Sequence, residues 1–63
     1  MDSARFEVWQ NGQMVARVEG PRKQAQADIL HYVVQYLVDG PLQVKERVKG
    51  RMKVVALANL AEM

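Results

Sequence analysis

Cysteine and threonine are absent from this 63-residue sequence, Ser3 is its only serine and His31 its only histidine. The missing thiols exclude a disulfide framework, thiolate metal sites and thiol chemistry. A nucleophile needs an activating base, and a zinc site needs several ligands at suitable spacing, so one histidine would have to serve every such purpose. The apolar runs are short. Tyr32-Val33-Val34 and Val54-Val55-Ala56-Leu57-Ala58 fall far below a bilayer span, and Met1-Asp2-Ser3-Ala4-Arg5 contains no apolar signal core, so a cytoplasmic protein is expected. Gly12, Gly20, Gly40 and Gly50 are spread out as turn punctuation. They form no cluster able to cradle a phosphate, which argues against dinucleotide and nucleoside-triphosphate sites.

What is present suits one small folded domain covering 1–63. Hydrophobic residues make up 49% of the chain and charged residues 25%, outside the range of a disordered tail. A chain of this length hides only about 60% of the surface its unfolded form exposes, too little for a large enzyme core. The net charge of +2 is mild, but its distribution is uneven. Lys45, Arg47, Lys49, Arg51 and Lys53 stand against Glu46 alone, while the remainder is net acidic. Such a run is either an electrostatic footprint for an anionic partner or simply a solvated hairpin.

Residues 4–19 read as a hairpin around Asn11-Gly12. A two-residue loop would pair Trp9 with Met14 and spread apolar groups over both faces. A three-residue loop, Gln10-Asn11-Gly12, gathers Ala4, Phe6, Val8, Met14, Ala16 and Val18 on one face and is preferred. Gly20-Pro21 ends the second strand and opens a helix over 21–39, because proline's fixed φ and missing N–H suit a first helical turn. Gly40 fits the C′ position, and Pro41 prevents continuation. Ala25, Ile29, Leu30, Tyr32, Val33, Tyr36 and Leu37 form the expected core stripe of this helix, with Gln24, Asp28, His31 and Gln35 on its wet side. Ala27, Val34 and Val38 fall outside the stripe and form either a candidate self-association face or a surface over which the C-terminal segment folds.

Residues 42–58 alternate as a second hairpin centred on Lys49-Gly50. A helical reading through Val44, Val48, Met52, Val55, Asn59 and Leu60 competes, but Gly50 would interrupt it at a cost of about 1 kcal/mol. With a three-residue loop here too, Leu42, Val44, Met52, Val54 and Ala56 lie inside and Lys45, Arg47, Arg51 and Lys53 outside. Glu46 on the inner side then needs a positive partner or a place beyond the helix edge. Residues 59–63 form a tail or a helical turn. The expected architecture is α+β: a ββαββ order with two hairpins flanking one helix, which packs on one face of a small antiparallel or mixed sheet.

No catalytic, cofactor-binding or metal-ligating residue is assigned, and no small-molecule substrate is expected. Asp28 and His31 can meet on the helix surface, but no nucleophile or second base accompanies them. Tyr32 and Tyr36, one turn apart, are better read as capping a core than as a ligand wall. The candidate contact face is the outer sheet surface, where Arg5, Trp9, Arg17, Lys45, Arg47, Arg51 and Lys53 would share one platform. Cations can neutralise phosphates and an exposed indole can stack on an unpaired base, which makes nucleic acid one expected partner. Tryptophan is also a natural anchor for a protein interface, and a protein partner or a homodimer is the leading expectation.

Val18-Glu19-Gly20-Pro21, Ile29-Leu30-His31-Tyr32 and Asp39-Gly40-Pro41 together resemble small accessory proteins encoded by bacteriophages and prophages, over roughly residues 6–48. That resemblance implies a bacterial cytoplasm and a non-enzymatic role in binding and modulating a host or phage factor. Many small phage inhibitors are acidic mimics of nucleic acid, and the basic second hairpin argues against mimicry here.

Overall fold

Asn11-Gly12 and Lys49-Gly50 each form a two-residue turn. The computed structural model describes residues 3–58, with elements in the order β1 (Ser3–Gln10), β2 (Gln13–Pro21), α1 (Arg22–Leu37), β3 (Gln43–Val48) and β4 (Arg51–Val55). All neighbouring strands are antiparallel and lie in the order β2-β1-β3-β4, giving an α+β fold of ββαββ type. The tail or turn expected at 59–63 lies outside the described residues.

In the first hairpin Asn11 and Gly12 take φ values of 55° and 75°. Two consecutive left-handed residues give a turn whose twist matches that of the flanking strands. Gln10 therefore faces Gln13 and Trp9 faces Met14, in place of the expected three-residue loop. A bulge then absorbs Val15, and Val8 meets Ala16 and Phe6 meets Val18. The extra residue restores the face that the longer loop would have produced, except that Met14 now shares the outer face with Trp9. Ala4, Phe6 and Val8 are buried, with Ala16 and Val18 packed beside them.

Pro21 is the last residue of β2 and caps α1 with a φ of −53°, suited to its ring. The helix lays Ala25, Ile29 and Val33 across β1 and β2, where they join Phe6, Val8 and Val44 in the core. The buried stripe is narrower than expected. Tyr32 and Leu37 are 39% and 46% exposed, because a two-strand footprint needs only the central rows of the helix. The C-cap is Val38, so Asp39 rather than Gly40 occupies C′. Backbone N–H groups of Asp39 and Gly40 donate to the carbonyls of Tyr36 and Leu37 and close the last turn.

The second hairpin follows the same turn geometry with a different result. Lys49 and Gly50 have φ values of 50° and 79°, and Val48 faces Arg51 directly. Here no bulge follows: Arg47 pairs with Met52, Glu46 with Lys53, Lys45 with Val54 and Val44 with Val55. Because opposite residues share a face, each side chain of β4 points opposite to the expected way. Arg51, Lys53 and Val55 lie on the helix side, and Met52 and Val54 lie on the outer side. Val55 packs against the core, whereas Met52, Val54 and Ala56, expected inside, are exposed. Glu46 does face inward and finds the positive partner it requires, accepting a 2.6 Å hydrogen bond from Arg22 at the start of the helix.

Candidate interaction surface

The outer sheet face holds part of the expected platform. Period-two alternation puts Arg5, Glu7 and Trp9 of β1 on this face, and the ladders bring Arg17 and Lys45 opposite Glu7 and Glu19 opposite Arg5. Arg47, opposite Met52, completes the set. Five of the seven expected residues, Arg5, Trp9, Arg17, Lys45 and Arg47, thus share a surface. Arg51 and Lys53 do not, because the unbulged turn sends them to the helix side.

Three of those five, Arg5, Trp9 and Lys45, are less available than a wet platform requires, while Arg17 and Arg47 are exposed. Glu7, a buried carboxylate on the outer face, accepts a 2.9 Å hydrogen bond from the Trp9 indole Nε1 and lies 3.6 Å from an Arg5 guanidinium nitrogen. The Lys45 ammonium sits 4.5 Å from the centroid of the Trp9 ring. Lysine over an indole face is an attractive arrangement, and it covers one of the two faces on which a base would stack. Trp9 therefore organises the sheet surface as much as it decorates it. Two carboxylates, Glu7 and Glu19, interrupt the cations and lower the local field.

A residue absent from the expected site joins the two halves of the fold. Gln10 belongs to the inward set of Ala4, Phe6 and Val8, and its buried amide Nε2 donates to the carbonyls of Tyr36 at 2.9 Å and Gly40 at 3.0 Å. Assigning it to a turn hides this role. Its i+2 spacing from Val8 is the signal that reveals it.

The helix surface behaves more simply. Asp28 accepts a 2.9 Å hydrogen bond from Gln24 Nε2, so its contact is with the preceding turn rather than with the exposed His31. Ala27, Val34 and Val38 form a stripe facing away from the sheet, with Val34 68% and Val38 84% exposed. Among the described residues no group of three or more His, Asp or Glu side chains could hold a metal ion, and no helix is long and apolar enough to cross a membrane.

The second hairpin is the surface that the fold leaves least covered. The helix packs over β1 and β2; Val44 and Val55 join the core at one end of the second hairpin and Glu46 is bound to Arg22, but toward the turn the helix side carries exposed Val48, Arg51 and Lys53. Val48, Met52 and Val54 are all exposed on this hairpin, on both of its faces. Among the described residues Arg47, Lys49, Arg51 and Lys53 have no carboxylate within ion-pairing distance. No family model, curated protein or solved structure matches this chain.

Proposed function

We propose that this chain is a non-enzymatic interaction module, an accessory protein of phage or prophage type that works in the bacterial cytoplasm by binding and modulating a host or phage protein. The observation that supports it is the second hairpin: apolar and cationic side chains remain exposed on both faces of an edge strand in a fold with little surface to spare. The test replaces Val54, and separately Gln24 on the helix's exposed side, with a photoreactive residue in a bacterial cell carrying the gene. A discrete protein adduct is expected from position 54 and none from position 24. Equal adducts from both sites, or none from position 54, would reject the module.

Nucleic acid is the competing partner, favoured by the four cations Arg5, Arg17, Lys45 and Arg47 around Trp9 on one sheet face. It is the weaker reading because the indole N–H and one ring face are already engaged. The back of the helix, Ala27, Val34 and Val38, offers a separate place for self-association as a homodimer.

A further inference from the structure

Among the described residues the sheet has two open edges, β2 and β4, and they differ in kind. β2 carries a bulge at Val15 and ends in Gly20-Pro21, features that blunt an edge against added strands. β4 is five residues, Arg51 to Val55, with no proline, glycine or bulge. In a hairpin closed by a two-residue turn, the pair flanking the turn exchanges hydrogen bonds and the pairs alternate thereafter. Arg51, Lys53 and Val55 therefore bond back to β3. Met52 and Val54 direct their N–H and C=O groups to the open edge.

From this edge we infer that β4 is a docking strand for an extended segment of a partner protein whose side chains alternate between apolar and acidic. Backbone groups of Met52 and Val54 supply the hydrogen bonds of strand addition, and the side chains supply the selection. On the outer face the incoming strand meets Met52 and Val54, which call for apolar neighbours. On the helix side it meets Arg51 and Lys53, which call for carboxylates. Lys53 is unsatisfied for a specific reason: Glu46, directly across the ladder, is bound to Arg22. The same charges disfavour a second copy as the occupant. Two β4 strands paired antiparallel about Lys53 would set that lysine against itself, and like charges opposite one another on a sheet repel.

This inference rests on the protein-binding reading and narrows it to one strand and one partner chemistry. The probe is a capped nonapeptide alternating glutamate and valine, titrated into the full-length protein labelled for amide NMR, with a lysine–valine peptide as control. Saturable shifts centred on the Met52 and Val54 amides are expected with the acidic peptide alone. The Arg51→Glu/Lys53→Glu variant should weaken that peptide by at least about tenfold and gain binding to the basic one. Val54→Pro should abolish binding while leaving the spectrum of β1 and α1 in place, since the lost N–H points outward and serves no native ladder bond. Shifts centred elsewhere, indifference to the charge swap, or concentration-dependent shifts of β4 in the protein alone would overturn the assignment. So would displacement of the peptide by a short oligonucleotide whose own binding needs Arg5 and Arg17. If the peptide fails while the position-54 adduct persists, only the acidic-strand inference falls; if the adduct is missing as well, the module falls with it.

Discussion

The two hairpins share a turn and differ in one residue of the ladder beyond it. Asn11-Gly12 and Lys49-Gly50 both close by consecutive left-handed residues, yet only the first hairpin carries a bulge. That bulge returns Ala16 and Val18 to the core face beneath the helix. Its absence in the second hairpin leaves Met52 and Val54 outside and turns Arg51 and Lys53 toward the helix side. The first hairpin thereby supplies most of the sheet's share of the core, and the second is left with exposed apolar and cationic side chains on its two faces. Strand parity, more than composition, separates the hairpin that builds the core from the one left largely exposed.

The contrast is broken most severely at Phe6. Its side chain is 1% exposed at the centre of the core, and Phe6→Ala should cost about 3–5 kcal/mol, enough to unfold a domain of this size. The equivalent truncation in the second hairpin, Val54→Ala, should shift stability by less than about 0.5 kcal/mol. Urea titrations followed by far-UV circular dichroism compare the two, and similar losses would contradict the division of roles.

A smaller effect is expected at Gln10, whose amide ties β1 to the end of the helix. Gln10→Ala should cost about 1–2 kcal/mol by removing two hydrogen bonds from a buried position, and Gln10→Glu should cost more because an acceptor would then face two carbonyls. Hydrogen exchange should quicken in the last turn of the helix in both variants, with the β4 amides unaffected.

The smallest expected change sharpens the comparison of the turns themselves. Asparagine adopts the left-handed region more readily than lysine, so Lys49→Asn should stabilise the protein by roughly 0.5–1 kcal/mol and Asn11→Lys should destabilise it by a similar amount. Midpoints of thermal unfolding that move in the same direction would show that the turns are not equivalent.

Much of this fold was readable because its punctuation is local. Asn11-Gly12, Gly20-Pro21 and Asp39-Gly40-Pro41 mark their boundaries with backbone chemistry that acts within a few residues. Alternation through Ala4, Phe6 and Val8 marks the inner face of the first hairpin in the same way. The facing of β4 was not readable. Two-residue and three-residue loops at Lys49-Gly50 differ by one position, and period-two structure converts that difference into an inversion of the strand. The alternation of β4 points the wrong way, because Met52 and Val54 form its purely apolar face yet lie outside, while Arg51 and Lys53 lie on the helix side with Val55. The candidate platform inherited this error at Arg51 and Lys53, while Arg5, Trp9, Arg17, Lys45 and Arg47 came together because they lie on strands whose faces the core determines.

The four-residue ladder between β1 and β3, from Phe6 opposite Glu46 to Trp9 opposite Gln43, has a consequence for the path to the native state. Each hairpin can zip from its own turn, but this seam joins segments remote along the chain and must first meet the entropy of closing a long loop. Residues at the seam, Val8 and Val44 above all, therefore govern how fast the protein folds, while the open edge at β4 is free to vary without slowing it.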